Sequence, residues 1–253
     1  MEVTTMVKKL IVNADDFGIS EGAVLGIIAA YQQGILTSTT CMMNMPYTDM
    51  AISLAKQHPQ LGLGIHLVLT LGKPLTSNCK SFIDENGNFL RPEVYENEEV
   101  VVDSEELYQE WKAQIEKFIK LMGKKPTHID SHHHVHLLPQ LQQTVIKLAN
   151  EYDLPIRQRL PITSNYQFVR CNDQFYNQKA TYDYFISVLN SDDEYLEIMC
   201  HPAFLDWRLY NISSYNILRM KELDLLCDQR IKHFIDEHQI ELINFSKIKK
   251  ISS

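Results

Sequence analysis

Short apolar runs alternate with helical stretches at least six times along the chain, and this alternation restricts the fold more than any other feature. The clearest apolar runs are KKLIVNA, LGIHLVLT and YLEIMC, and each is bounded by polar or turn residues. Strands joined through helices pair in parallel. The 253 residues suit a barrel or partial barrel better than an open doubly wound sheet. We therefore predict an α/β fold in which helices surround parallel strands.

Capping and turn residues mark several element boundaries. Ser20 and Gly34 delimit one helix, and the Asn86-Gly87 pair predicts a hairpin within SFIDENGNFL. Ser104 is the expected N-cap of a long helix whose apolar stripe comprises Leu107, Trp111, Ile115, Phe118 and Met122.

The remaining stretches are less regular. Residues 91–103 are acidic and predict a loop, and the polar stretch 158–180 predicts a loop over one face of the sheet. LPIRQ and IELINF are read as strands, and residues 215–238 as one long helix.

Composition excludes several classes of partner. The net charge of −8 and the lack of long basic runs argue against nucleic acids and anionic membranes. No apolar stretch approaches the roughly 20 residues of a membrane span, and no signal sequence or nucleotide-binding glycine motif is evident. The five scattered cysteines form no Cys-x-x-Cys pair, which favours reduced thiols and a cytoplasmic location.

Carboxylates and imidazoles stand where four apolar runs end. They are Asp15 and Asp16 in VNADDFG, His66 in GIHLVLT, the histidines of THIDSHHHVH, and His201 in EIMCHPAF. The carboxyl ends of parallel strands form the active face of α/β folds. Four such segments predict a site at that face, and a metal ion is the ligand that carboxylates and imidazoles from separate strands can bind together.

Each of these residues also has a structural interpretation when it is taken alone. Asp15 or Asp16 could cap the following helix, and His201 could be a turn residue before Pro202. His66 could be a core histidine within its apolar strand. Convergence from separate strands favours the metal site, because ligands must meet at one point.

Five motifs together resemble the YdjC-like carbohydrate deacetylases, and most closely the chitooligosaccharide (diacetylchitobiose) deacetylases. The motifs are IVNADDFG, GILTSTT, GIHLVLTLGKPL, KPTHIDSHHHVH and LEIMCHPAF. The resemblance extends in order from about residue 8 to about residue 206. It is weak in 78–103, an expected insertion, and in 158–195. Both segments are expected to shape the substrate pocket within one domain spanning 1–253.

The resemblance implies a distorted β/α barrel related to polysaccharide deacetylases. It also implies that Asp16, His66 and His132 bind one divalent metal ion, with Mg²⁺ favoured by the family and Zn²⁺ also compatible with this donor set. Asp15 would then be the catalytic base, and His201 an acid or orienting group.

Further residues receive supporting roles. By the two-residue period of a strand, His128 and Asp130 share a face with His132, so Asp130 could orient a neighbouring imidazole. His134 and His136 are expected to border the pocket, and His133 to be structural. Arg157 could orient Asp15 or lie at the surface. Trp207 and Tyr210 could stack on a sugar or simply pack at the rim.

The expected reaction is removal of acetyl groups from a small N-acetylated saccharide, and the resemblance suggests a homodimer. Two other functions remain open. A different barrel metal hydrolase, an amidohydrolase or phosphoesterase, would use His134 and His136 as a His-x-His pair and leave Asp15 and Asp16 unexplained. A non-catalytic metal sensor or store would need a closed set of ligands, which a spare base at Asp15 argues against.

Overall fold

The strands of the computed structural model, which describes residues 6–158 and 165–251, all pair in parallel. They are β1 (Lys9–Phe17), β2 (Ser38–Cys41), β3 (Gly62–Leu67), β4 (Ile129–Ser131), β5 (Arg170–Asn172), β6 (Tyr195–Cys200) and β7 (Glu241–Leu242). Their order is β4-β3-β2-β1-β6-β5, and β7 pairs with the start of β1. The parallel sheet expected from the alternating pattern is confirmed.

The chain between Pro155 and Gln158 joins the two edges of this sheet. On one side, the amide of Ile129 donates to the carbonyl of Pro155, and the amide of Arg157 donates to the carbonyl of Ile129, both at 2.9 Å. On the other side, the amide of Cys171 donates to the carbonyl of Gln158 at 3.1 Å. The LPIRQ segment therefore forms isolated bridges rather than a regular strand, and these bridges close a distorted barrel.

Helices pack around the barrel and connect its strands. They are α1 (Glu21–Gln33), α2 (Thr48–Gln57), α3 (Pro92–Glu96), α4 (Ser104–Met122), α5 (Pro139–Tyr152), α6 (Tyr182–Leu189), α7 (Trp207–Ile212), α8 (Leu218–Leu226) and α9 (Gln229–Glu237). Short 3-10 turns cover His132–Leu137, Asn177–Lys179 and Phe245–Lys247. No helix in the described part of the chain combines the length and apolarity needed to cross a membrane.

Two helix boundaries differ from those expected. The side chain of Ser20 caps α1 as predicted, but α4 is capped by Asp103, whose carboxylate accepts from the amides of Glu105 and Glu106. The helix expected over 215–238 is two helices, because Asp228 caps α9 and stops the chain from continuing out of α8.

Three irregular regions also differ. Residues 91–103 contain the short helix α3, and 158–180 contains the edge strand β5; residues 159–164 of that stretch lie outside the described part. The strand expected at IELINF is only β7, since a 3-10 turn begins at Phe245. The hairpin around Gly87 is present as a single bridge between Ile83 and Phe89.

Side chains alternate between the barrel interior and the surrounding helices. Leu10, Val12 and Ala14 of β1 belong to the large core beneath the helices. Ile11 belongs instead to a separate apolar cluster with Val169, Tyr195, Ile243, Phe245 and Ile248. These residues fill the end of the barrel where β1 and β6 begin. The same inward face of β1 continues to Asp15 at the opposite end of the barrel. The polar site and this apolar cluster therefore occupy opposite ends of the barrel interior.

Candidate active site

A left-handed turn at Asp16 brings two adjacent carboxylates into one site. Neighbouring residues of a regular strand point to opposite faces. Asp16 has φ 68°, and the register between β1 and β2 shifts between Ala14 and Phe17. Aspartate adopts this conformation more readily than most residues. The chain therefore bends at Asp16 itself, and Asp15 and Asp16 line the same cavity.

Three candidate metal ligands meet at Asp16. Its Oδ1 atom lies 2.9 Å from Nδ1 of His132 and 3.4 Å from Nε2 of His66. Ligand atoms about 2.1 Å from a metal ion, at octahedral or tetrahedral angles, lie roughly 3.0–3.4 Å apart. The buried Asp16 Oδ1 accepts no hydrogen bond from the described residues. The side chains present therefore fit a divalent cation.

Asp130 sets the orientation of His66. Nδ1 of His66 lies 2.7 Å from Asp130 Oδ1 and 3.1 Å from the hydroxyl of Thr40. The hydroxyl of Thr40 also donates to Asp130 Oδ2 at 3.0 Å. With its Nδ1 facing Asp130, the ring presents Nε2 to Asp16. Burial opposes protonation, but Asp130 and then Asp15 raise the pKa of His66 to about 10.

Arg219 holds the second oxygen of Asp16 and was not expected from the sequence. Its Nη2 donates to Asp16 Oδ2 at 2.8 Å, and its Nε donates to the carbonyl of Tyr215 at 2.7 Å. The arginine is 3% exposed. Burial would raise the pKa of Asp16, but His132 and then Arg219 lower it well below its ordinary value. Nothing near Arg219 in the sequence marks it, because the pair spans 203 residues.

Asp15 is fixed by a second buried arginine. Nη1 and Nη2 of Arg157 donate to its two oxygens at 2.6 Å each, and the side-chain Nδ2 of Asn13 donates to Oδ1 at 3.0 Å. A carboxylate has about four acceptor positions, so one is left for a substrate or water. Burial would raise the pKa of Asp15, but Arg157 holds it well below the usual range. The surface position considered for Arg157 is wrong, since its side chain is fully buried.

Arg157 also contacts two further buried carboxylates. Its Nη2 lies 2.9 Å from Asp130 Oδ2, and its Nε donates to Glu197 Oε1 at 2.8 Å. Glu197 was missed, although a glutamate inside the apolar run YLEIMC is a usable signal. Burial raises the pKa of Glu197 to about 7 even though Arg157 lowers it.

His201 follows β6 and lines the same cavity as Asp15 and Asp16. Its backbone amide donates to Glu222, while its Nδ1 has no hydrogen-bond partner in the described part of the chain. The rings of Tyr176 and Tyr215 pack edge-on against it at 5.9 and 5.7 Å. Burial and then Arg219 lower the pKa of His201 to about 4, so the ring is neutral at pH 7.

Two consecutive left-handed residues explain the run of histidines after β4. His133 and His134 have φ values of 56° and 54°, so the chain turns sharply just after His132. His132, His133 and His134 all line the cavity as a result. His133 was expected to be structural, and its Nδ1 does lie 2.9 Å from the hydroxyl of Thr70. Both residues also line the cavity.

Three of the predicted site residues lie elsewhere. His136 is fully buried behind the site, between the hydroxyl of Ser131 and the carbonyl of Arg157, and does not reach the cavity. His128 shares the inward face with Asp130 but lies below it, stacked on Phe245 with ring centroids 3.7 Å apart. Trp207 is 78% exposed and stacks on Tyr210 outside the cavity lining.

The cavity above the ligands has a volume of 720 Å³. This is within the roughly 300–1,000 Å³ of small-molecule sites. Residues 91–93, from the expected insertion, contribute to its walls, as do Asp173, Gln174 and Tyr176 from the unassigned stretch. Both segments therefore shape the pocket, as expected from the sequence.

The described residues contain two groups with metal-binding spacing, and neither includes His134 or His136. One group is Asp16, His66 and His132. The other is Asp15, His66 and Asp130, in which Arg157 already bonds to both carboxylates. The first group is therefore the better candidate, and the His-x-His alternative has no support from the geometry.

Comparison with known proteins finds a match to the family model described as YdjC-like protein over residues 9–237. A carbohydrate deacetylase of Clostridium beijerinckii is 43% identical, over 95% of this chain and 100% of that protein. A chitooligosaccharide deacetylase of Yersinia enterocolitica is 38% identical, over 95% of this chain and 99% of that protein.

Solved structures show the same architecture. The crystal structure of an Enterococcus faecalis protein that was proposed to cleave cellobiose-phosphate matches with a TM-score of 0.86 and 36% identity, over 94% of this chain and 98% of that one. A family 4 carbohydrate esterase from Streptomyces lividans, bound to acetate, matches with a TM-score of 0.53 and 12% identity, over 98% and 99%. This second likeness concerns the fold alone and confirms the polysaccharide-deacetylase-like barrel.

Proposed function

Because the chain belongs to the YdjC-like protein family, we propose that it is a carbohydrate deacetylase that uses one divalent metal ion to hydrolyse the acetamido group of a short N-acetylated saccharide. The relatives named as carbohydrate and chitooligosaccharide deacetylases support the reaction. The observation that carries the metal dependence is the approach of His66 Nε2 and His132 Nδ1 to the same unbonded oxygen of Asp16.

Asp16, His66 and His132 would hold the ion. When bound, a divalent cation supplies Lewis-acid polarisation of a carbonyl and makes a nearby water molecule more acidic. An acetamide needs both effects, because its carbonyl is a weak electrophile and neutral water is a weak nucleophile. The donor set of two imidazoles and one carboxylate suits Zn²⁺, whereas Mg²⁺ is proposed on family resemblance.

Asp15 is the proposed base. Its carboxylate stays ionised because Arg157 lowers its pKa, and Arg157 also fixes its direction. The acceptor position that remains can take a proton from the attacking water. A positioned carboxylate of this kind contributes roughly 10²–10⁴-fold to a rate. The low pKa of Asp15 favours transfer of that proton onward rather than its retention.

His201 is the proposed acid for the departing amine. The proton released by the attacking water is the one that the leaving nitrogen requires, so the reaction needs a carrier rather than a separate proton source. His201 is neutral at pH 7 and lines the cavity with Asp15. Its imidazole can therefore accept the proton and deliver it to nitrogen as the carbon–nitrogen bond breaks.

A cytoplasmic location and a homodimer belong to the same proposal. All five cysteines are free thiols, which supports a reducing compartment. The homodimer is proposed on family resemblance, and light scattering coupled to gel filtration would test it.

Acetate release tests the proposed function directly. The purified protein would be incubated with mono-, di- and trisaccharides of N-acetylglucosamine, phosphorylated or not, after treatment with a chelator and then with Mg²⁺, Zn²⁺, Mn²⁺ or Co²⁺ added. We expect acetate to appear only when metal is restored. Phosphate esters assayed in parallel test the alternative hydrolase. Release of phosphate but never of acetate would refute the deacetylase.

A further inference from the structure

Glu222 of α8 is a fully buried carboxylate that the reaction described above does not use. Burying a carboxylate costs free energy unless its oxygens find hydrogen-bond donors. The backbone amide of His201 donates to Oε2 of Glu222, and the hydroxyl of Tyr215 donates to Oε1. The ring of Tyr215 packs edge-on against the imidazole of His201, with ring centroids 5.7 Å apart. One carboxylate therefore holds both the main chain that carries this imidazole and a ring that packs on it.

The chain that follows His201 is held in a different way. The amide of Ala203 donates to the carbonyl of Arg219 at 3.3 Å, and the amide of Phe204 donates to the carbonyl of Gly22 at 3.0 Å. Both of these acceptors belong to the backbone. Of the three hydrogen bonds, only the one at His201 has a side chain as its acceptor. A single substitution can therefore release the chain at the imidazole and leave the rest of the segment attached.

No hydrogen bond from the described residues orients the imidazole of His201 itself. Its Nδ1 has no partner among them, whereas Nδ1 of His66 faces Asp130. The direction of the His201 ring therefore depends on its own backbone and on the tyrosine rings that pack against it. Glu222 holds that backbone and one of those rings, the ring of Tyr215.

We propose that Glu222 is a positioning residue that keeps the imidazole of His201 directed at the departing nitrogen of the substrate. The inference rests on the proposed function. It assigns to Glu222 an effect on the proton transfer that accompanies carbon–nitrogen cleavage, and none on metal binding. Proton transfer requires the two groups to lie within hydrogen-bond reach, and a misplacement of about 1 Å can lower a rate about 10²-fold. The reach of the side chain matters in this role, and its charge does not.

Two substitutions of Glu222 separate reach from charge. Glu222→Gln keeps the length of the side chain, so its oxygen can accept from the amide of His201 while its NH₂ group donates to the hydroxyl of Tyr215. Glu222→Asp keeps the carboxylate but is one methylene shorter, so it cannot hold both donors. Acetate release from diacetylchitobiose by the metal-loaded protein would be measured. We expect Glu222→Gln to retain most of its kcat and Glu222→Asp to lose about 10–100-fold, with KM unchanged in both.

Two further readouts distinguish positioning from general support of the fold. In a His201→Ala background, Glu222→Asp should cause no further loss of kcat, because the imidazole through which Glu222 acts is gone. Hydrogen exchange needs neither metal nor substrate. The amide of His201 should lose protection in Glu222→Asp and keep it in Glu222→Gln. Should Glu222→Asp not fold, Tyr215→Phe would replace it, because it keeps the ring and removes one of the two donors; the same pattern is expected with a smaller loss.

Glu110→Asp is the matched control. Glu110 is equally buried and accepts from the amides of Leu75 and Thr76, without contact to His201. Any loss of kcat in this variant should persist in the His201→Ala background, and thermal melting would compare the two shortened variants.

Three results would overturn the positioning role alone. They are an equal loss of kcat in Glu222→Gln and Glu222→Asp, a loss in Glu222→Asp that adds to that of His201→Ala, and a fall in metal affinity by titration calorimetry in Glu222→Asp. Absence of acetate from the wild-type protein would instead overturn the proposed function, and the role of Glu222 with it.

Discussion

The guanidinium of Arg157 forms a two-point ion pair with the carboxylate of Asp15, and both nitrogen–oxygen distances are 2.6 Å. Both groups are buried, so neither charge is screened by water. The same arginine contacts Asp130 and Glu197 and is carried by the segment that closes the barrel. Arg157 therefore takes part in both: its backbone amide helps to close the barrel at Ile129, and its side chain orients the candidate base.

Replacing Arg157 should cost both stability and rate. Arg157→Met leaves buried carboxylates without their cation, and breaking such a pair from one side destabilises a protein by about 3–5 kcal/mol. Arg157→Lys keeps the charge but cannot bond to Asp15 at two points. This variant should therefore lose less stability than Arg157→Met and still show a clear loss of kcat. Urea unfolding and acetate release would measure the two effects. Arg170→Met removes the half-exposed pair with Asp193 and should cost no more than about 1 kcal/mol.

The two adjacent aspartates should respond differently to the same substitution. Asp15→Asn should retain the metal and lose roughly 10²–10⁴-fold in kcat, because the amide keeps the shape and loses the basicity. Asp16→Asn should weaken metal binding, and excess metal should partly restore its rate. Metal content and kcat would be measured for both, with circular dichroism to confirm folding, since the new amide at residue 15 faces Arg157. If Asp15→Asn loses the metal and Asp16→Asn retains it, the assigned roles are reversed.

His66→Ala and His132→Ala should each release the metal from a folded protein. Each substitution removes one of three ligand atoms that approach the same point. His134→Ala is the matched control, since His134 lines the cavity outside both groups with metal-binding spacing. Elemental analysis after gel filtration would give the occupancy. Full occupancy in either ligand variant would show that the assignment is wrong.

Arg219→Lys should weaken metal binding while the ligands themselves stay intact. The arginine fixes Asp16 Oδ2, which leaves Oδ1 directed toward the two histidines. Loss of groups that orient metal ligands typically costs about 10–100-fold in affinity. Titration calorimetry with the chosen metal would measure it. Lys221→Met, an exposed change on the same helix, should leave the affinity unchanged, and equal affinities for the two variants would remove Arg219 from this role.

Glu197→Gln should change how stability depends on pH. The folded protein raises the pKa of Glu197 to about 7, above the ordinary value of 4.5. Between these pH values, the unfolded chain loses the proton and the folded chain retains it, so rising pH favours unfolding. Above pH 7 the penalty reaches a plateau on the order of 3 kcal/mol. The free energy of unfolding of the variant minus that of the wild type should therefore grow from pH 4.5 to 7.5, and a constant difference would refute the shift.

The sequence predicts those parts of the site that follow from strand ends. Asp16, His66 and His132 come together because parallel strands bring their carboxyl ends to one edge, and that rule requires only the locations of the strands. The resemblance added the distribution of roles among these residues. In the structure, one potential ligand atom from each of the three residues lies within 4.8 Å of the other two.

Other parts depend on geometry that no local pattern encodes. The partnership of Arg219 with Asp16 crosses most of the chain, and β5 is only three residues long within a polar stretch. His136 follows the spacing of a pocket residue, but the left-handed turn at His133 and His134 directs it into the core. Backbone reversals of this kind alter the strand period on which the expectation depended.

The order of these residues along the chain has a consequence for how specificity can diverge. The candidate metal ligands all lie at or before residue 132, whereas part of the cavity wall, including Gln174, Tyr176 and Ser214, comes after residue 170. Substitutions, insertions or exchanged segments after residue 170 can therefore change which saccharide the cavity accepts while the metal ligands and Asp15 stay the same. His201 and Arg219 are the exceptions, because His201 is the proposed acid and Arg219 contacts Asp16 from the later half. Laboratory evolution toward new saccharides would best randomise Gln174, Tyr176 and Ser214 and hold His201 and Arg219 fixed.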